Sequence, residues 1–342
     1  MSNQPPIEVP QGAIRLNTDS QRLEFFAQDR WYEMATEEAS GIGNRGFRVS
    51  GTGAGATLIE SFNITTLGNS HDTGFDLSTS RGAFGCSASR TRAIICGGNA
   101  PGITGLNNIQ YFEMTSLSNT IDFGDLTYNA AEAGAHSNNV RLVVTGAASH
   151  ASNVINFLTV ASTGSAQDFG DQANKLSSTT ACGSPTRGLF AGGAIPSIVN
   201  IIEFVTIAST GNSVDFGDLT VARYSAGSGS NNTRGLFIMG NAGSPTNQVN
   251  TIDFVTISST GNAQDFGDSS MSDTGGPTQG PGICASPNRI VFFGGYITGG
   301  TDRTTEMQYV NPTTRGNSTR FGDLETAQNS DGNALSSSHG GL

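Results

Sequence analysis

The sequence predicts an all-β chain in which a small β-meander precedes a six-bladed β-propeller. Three periodic features predict it. Variants of Asp-Phe-Gly-Asp place phenylalanines at Phe75, Phe123, Phe169, Phe216, Phe266 and Phe321, 46 to 55 residues apart. With the same period, Arg45, Arg92, Arg141, Arg187, Arg234 and Arg289 each open a short run that ends in Gly, as in Arg187-Gly-Leu-Phe-Ala-Gly-Gly193. Before each phenylalanine comes an alternating run such as Ile202-Glu-Phe-Val-Thr-Ile207, closed by turn residues such as Ser209-Thr-Gly-Asn212. A fixed period in this range marks units that bury their apolar faces on neighbours.

Residues 1–40 carry no repeat landmark and hold the only tryptophan, Trp31. Alternation on both sides of Asn17-Thr-Asp-Ser20 predicts a hairpin, and Gln28-Asp29 turns the chain into a third strand, Arg30 to Met34. So short a meander cannot bury a stable core alone. It needs a partner, which makes Ile14, Leu16, Phe25 and Trp31 candidate attachment residues. Residues 37–43 read as a linker into the second domain, residues 41–342.

Each repeat reads as four short strands. The innermost is a run of small residues such as Ser225-Ala-Gly-Ser-Gly229. The second runs from the Arg to the Gly, the third is the alternating run, and the fourth carries the Phe. Four antiparallel strands per unit, six times over, describe a propeller, whose inner strands crowd round an axis. Arg45 has no inner strand before it, and Ala334 to Ser338 looks like an inner strand with no partner after it. The two fragments predict one composite blade, with Ala334 to Ser338 paired to Phe47 to Ser50, which removes two exposed sheet edges.

Composition narrows the function classes. A net charge of −11, with Lys175 the only lysine, argues against a nucleic-acid grip, which needs clustered cations. No apolar run is long enough for a membrane helix, so no membrane insertion is expected. The start Met1-Ser-Asn-Gln-Pro-Pro lacks the basic and apolar regions of a secretory signal. Cys86, Cys182 and Cys284 fall on equivalent inner strands of different blades and, with Cys96, are expected as free thiols.

The repeated Asp pairs read either as Ca²⁺ ligands or as turn caps around an inter-blade Phe; the spacing supplies too few oxygens for the first. The repeated arginines read as turn or inter-blade hydrogen-bond donors. No His-x-x-x-His spacing and no Gly-x-Ser-x-Gly elbow occurs. The expectation is a non-enzymatic protein with no cofactor and no metal.

The N-terminal segment Gly12-Ala-Ile-Arg-Leu-Asn-Thr-Asp-Ser-Gln-Arg-Leu-Glu-Phe-Phe26, followed by Trp31-Tyr-Glu33, resembles a segment common in structural proteins of tailed bacteriophages, in tail fibres, head fibres and other appendages. The repeats, most strongly Phe204 to Arg223 and Phe254 to Asp268, resemble kelch-like propeller units of phage appendage proteins, including those of cyanophages. They depart from ordinary kelch units in using Phe for the outer-strand Trp. The resemblance implies a virion part, assembled in the host cytoplasm and present in several copies. Its N-terminal segment would bind other virion proteins.

Length variation then locates a candidate site. From each Phe to the next Arg the spacing is 17 or 18 residues, except 23 before Arg289. The second-to-third-strand loops also vary, and they emerge on the same face as that insertion. Variable loops on a rigid scaffold are where binding concentrates. Tyr296, Asp302 and Arg303 on one such loop, with Asp273 and Gln279 on the insertion, are the candidate ligand-binding residues. The expected role is a tail or fibre knob that adheres to a host-surface glycan or protein. A capsid-decorating knob without a receptor and a glycan-degrading appendage are the alternatives.

Overall fold

A computed structural model describes residues 9–17, 22–33, 44–49, 57–146, 152–194, 196–243, 248–271, 278–296, 304–326 and 334–342. The chain divides into two units, Met1–Gly41 and Ile42–Leu342. Among the described residues there is no helix, and the strands form seven antiparallel sheets.

In the first unit, β1 (Ile14–Asn17), β2 (Arg22–Ala27) and β3 (Arg30–Glu33) form a three-stranded meander. Gln28 and Asp29 both take left-handed backbone (φ 49° and 58°), the two-residue turn that suits the twist of a hairpin. Gln11 braces that turn, accepting from the Gln28 amide and donating to Asp29, each at 3.0 Å.

The second unit holds six four-stranded sheets. Sheet I contains β4 (Arg45–Val49), β5 (Leu58–Asn63) and β6 (His71–Asp76). Sheet II is β7 (Gly85–Ala88), β8 (Arg92–Cys96), β9 (Leu106–Glu113) and β10 (Ile121–Ala130). Sheet III is β11 (Gly134–Ser137), β12 (Arg141–Thr145), β13 (Val154–Thr159) and β14 (Gln167–Asp171). Sheet IV is β15 (Thr180–Gly183), β16 (Arg187–Ala191), β17 (Ile201–Thr206) and β18 (Val214–Asp218). Sheet V is β19 (Gly227–Ser230), β20 (Arg234–Ile238), β21 (Thr251–Thr256) and β22 (Gln264–Asp268). Sheet VI is β23 (Gly282–Ala285), β24 (Ile290–Phe293), β25 (Glu306–Val310) and β26 (Thr319–Asp323).

The last strand, β27 (Ala334–Ser336), completes sheet I in the order β27-β4-β5-β6. Its register pairs Ala334 with Arg48, Leu335 with Phe47 and Ser336 with Gly46. The pairing is shorter than the sequence suggests and lies nearer the start of β4. Ser50 falls outside the described residues, and the Ser337 amide carries the contact on to Arg45 O at 3.2 Å. The arrangement is a propeller-like all-β fold.

Consecutive sheets are joined by apolar clusters, one at each junction, including that between sheets VI and I. The repeated Phe is buried in every copy. Its neighbours explain the rest of the motif. Phe169 O accepts from the Gly211 amide at 2.7 Å, and Asp171 O accepts from Ser213 at 2.9 Å. The Asp171 amide donates to Asn212 Oδ1 at 3.0 Å. A Cβ on Gly170 would stand 2.5 Å from the Gly211 carbonyl, and its φ of 145° disfavours any side chain, so only Gly fits. Asp-Phe-Gly-Asp on one sheet therefore clasps Ser-Thr-Gly-Asn on the next. The sheet VI to sheet I copy bonds Phe321 O to Gly68 and the Asp323 amide to Asn69 Oδ1.

The arginines make a second clasp, in keeping with the inter-sheet reading of the sequence. Arg92, Arg141, Arg187, Arg234 and Arg289 stack over aromatic rings of their own sheets. Their guanidinium groups donate to carbonyls of the next sheet, from Arg92 to Val160 O at 2.8 Å round to Arg289 to Ile64 O at 3.0 Å.

A third clasp is not apparent from sequence. Each third strand buries a polar side chain at the corresponding place: Glu60, Gln110, Asn156, Glu203, Asp253 and Gln308. Five of these accept from the chain leaving the preceding sheet, as Asp253 does from the Thr220 hydroxyl at 2.6 Å, while Gln110 donates there to Ser78 Oγ at 2.6 Å. Arg223 pairs with Asp253 at 3.0 Å and Arg48 with Glu60 at 3.1 Å, all four side chains being fully buried.

Candidate functional site

The six inner strands lie side by side in succession, with β27 next to both β23 and β7. They surround a cavity of about 400 Å³. The crowding has a sequence cause, since a Cβ on Gly227 would stand 2.6 Å from Ile283.

One corner in each of sheets II to VI builds the rim. Just before the inner strand, Ala83, Glu132, Ser178, Ser225 and Gly280 all take left-handed backbone, with φ between 48° and 67°. Four of these five are not glycine, and each such residue costs about 1–2 kcal/mol of local strain. The conformation turns each backbone towards its neighbour. Glu132 N donates to Ala83 O at 2.5 Å, Ser225 N to Ser178 O at 3.0 Å, and Gly280 N to Ser225 O at 2.7 Å. The residue before four of these corners forms an isolated bridge with the second-to-third-strand loop, at Gly82 and Asn99, Ser177 and Ala194, Tyr224 and Asn241, and Gln279 and Tyr296. The two kinds of loop are thereby tied together around the opening.

Tyr296 and Gln279, candidates from the sequence, are joined by two backbone bonds of 2.9 and 3.0 Å, and both line the cavity. Asn241 Nδ2 donates to Gln279 Oε1 at 2.6 Å and fixes that amide. Asp302, Arg303 and Asp273 lie outside the described residues. Sequence reasoning missed Glu132, Tyr224 and Asn99, which also line the opening. Length variation could not reveal Glu132 and Tyr224, which sit in connections of uniform length, whereas Asn99 opens one of the variable second-to-third-strand loops. The available signal was a change of residue type at one fixed place before each inner strand.

Glu132 is the only ionisable carboxylate among the described lining residues, and it accepts from the Ser178 hydroxyl. The floor is small and mostly apolar: Cys86, Ala135, Ala181, Ile283 and Ala334, with the Ser228 hydroxyl among them. Burial pushes the Cys86 thiol up to about 12, against a backbone bond from Ala334 that lowers it, so it stays a thiol and donates to Ala334 O at 3.2 Å. All four cysteines are free. Phenols, amides, hydroxyls and one carboxylate over an apolar floor suit recognition of a small polar ligand. Below it, a narrower space of about 50 Å³ is lined by His136, Cys182, Ser230 and His339.

In the first unit, the four candidate attachment residues divide between two faces. Ile14 (63% exposed) and Leu16 (60% exposed) share a face with Phe25, which is paired with Ile14 and stacks on Tyr32. Trp31 lies on the other face, beneath the Arg15 guanidinium at 4.1 Å and edge-on to Phe26. No family model matches this chain, and no curated protein matches it.

Proposed function

We propose that this chain is a closed six-bladed kelch-like propeller that serves as a non-catalytic adhesive appendage of a bacteriophage particle. Residues 1–40 attach it to other virion proteins, and the face bearing the cavity mouth meets a saccharide of the host surface. The observation that carries the binding role is the mouth itself, where Tyr224, Gln279, Tyr296, Asn99 and Glu132 converge from different sheets on one opening. Hydroxyl-rich ligands are held by such a mixture of amides, carboxylate and aromatic faces. The closed ring is supported by the same clasps at the sheet VI to sheet I junction as elsewhere. The virion setting rests on the resemblance of residues 12–33 and of the repeats. The apolar Ile14, Leu16 and Phe25 face supports attachment through the first unit.

The test compares attachment of particles carrying Tyr224→Ala, Tyr296→Ala or Glu132→Gln with attachment of the parent. Attachment should fall about tenfold or more, equivalent to about 1.4 kcal/mol of binding, with normal incorporation. Ile14→Asp with Leu16→Asp should instead leave particles without the protein. Normal attachment of all three mouth variants would replace adhesion by a decorating role.

A further inference from the structure

We propose that His339, Gly340, Gly341 and Leu342 form an acid-released plug that seals the narrow end of the central cavity. After β27 the chain does not leave along the edge of sheet I. It turns inward and touches the inner strands of sheets II to V. The His339 Nε2 lies 2.7 Å from Ala88 O and 3.4 Å from Ser137 Oγ, and its ring meets His136 edge-on at 5.5 Å. A Cβ on Gly340 would stand 2.6 Å from Gly183 O and would also strike Asn231 O, while one on Gly341 would overlap Ser137 O. The diglycine is therefore threaded between backbones where no side chain fits.

Little else holds the plug. It pairs with no strand, and its internal bonds run from Leu342 N to His339 O at 3.0 Å and from Gly341 N to His339 Nδ1 at 3.1 Å. The second bond fixes the chemistry. Nδ1 accepts, so Nε2 carries the proton and donates to Ala88 O. Neutral His339 is fully satisfied in this way. A second proton on Nδ1 would face the Gly341 N–H, donor against donor. His136 is likewise held through Nε2, 3.2 Å from Ser184 O.

The titratable side chains lining the narrow space are His136, His339, Cys86 and Cys182, and no carboxylate side chain lies among them. Burial pushes both thiols up to about 12, so they supply no negative charge. Burial lowers His136 to about 3, with the nearby His339 adding to the effect. Burial lowers His339 to about 4, opposed by Ala88 O. A released tail returns His339 to its ordinary value near 6.5. The seated plug is thus fully stable above about pH 6.5 and loses stability as pH falls from there towards about 4.

The test is hydrogen–deuterium exchange of residues 338–342 in the full chain from pH 7.5 to 4, corrected for intrinsic rate, with circular dichroism monitoring the sheets. Protection of the Gly341 and Leu342 amides should fall about tenfold or more between pH 7 and 5, with the sheet signal unchanged. His136→Gln, which removes one of the two charges, should move that loss to lower pH. Protection independent of pH, or loss only together with the sheets, overturns the proposal. Should the variant not fold, histidine ring NMR of the parent decides. His339 titrating while the tail amides stay protected overturns it, and titration in step with their exposure upholds it.

Discussion

The outer junctions and the cavity mouth are repeated with equal regularity in space but not in sequence. At the outer junctions Gly170 meets Gly211, Gly217 meets Gly261, and Gly267 meets Gly316, each with a potential Cβ about 2.5 Å from backbone. At the mouth, the same backbone corner is occupied by Ala83, Glu132, Ser178, Ser225 or Gly280. The left-handed corners, with φ near 50°, also disfavour side chains but less than the φ near 146° of the junction glycines, and there the residue type varies. The difference is what lies opposite. A side chain at the outer junction strikes fixed backbone, whereas the corner residues line the cavity. Periodic identity thus marks closed geometry, and periodic variation marks a surface free to acquire a ligand.

The comparison breaks most visibly where a buried charge loses its partner. Asp253→Ala leaves the fully buried Arg223 guanidinium facing only carbonyl oxygen. It should cost about 3–5 kcal/mol, and adding Arg223→Met should recover much of that. Chemical denaturation of the single and double variants measures both. If the single change leaves stability intact, the third clasp carries no weight in the junction.

A smaller loss is expected at the glycine contact. Gly217→Ala places a methyl against the Gly261 carbonyl and should lower stability by about 1–3 kcal/mol, read as a shift in the thermal midpoint. The corresponding change at the mouth should scarcely register. Ser225→Gly relieves the left-handed strain but adds freedom to the unfolded chain, so its net effect should stay within about 1 kcal/mol. Equal losses at Gly217 and Ser225 would show that both regions are equally constrained.

Much of the outer scaffold was legible in the sequence because its contacts demand particular residues. The Phe, Gly and Asn of the clasp recur for steric and hydrogen-bonding reasons, and the unpartnered Ala334 run pointed to its pairing with β4. The polar residue of each third strand was not legible. In an alternating run, Glu203 or Asp253 reads as the solvent side of a half-buried strand, but the neighbouring sheet's loop covers it. Its partners are long-range and vary in type. At the mouth, Tyr296 and Gln279 were found through loop length. Glu132 and Tyr224 escaped because they occupy connections of ordinary length. Trp31 was grouped with Ile14, Leu16 and Phe25 by composition, and only the strand register separates its face from theirs.

Every clasp runs the same way round. Arg92 of sheet II reaches Val160 of sheet III, and Arg289 of sheet VI reaches Ile64 of sheet I. Each sheet thus presents an arginine side and a carbonyl side, and in this clasp, where the acceptors are backbone carbonyls, the sides of different sheets are alike. Such parts are modular, and nothing in the clasp counts them. Bulk on the inner strands, where Gly227 leaves room for Ile283, is what limits how many wedges fit round one axis. A lineage built on this repeat can gain or lose a whole wedge without redesigning a junction, provided that the small residues at the centre change with it.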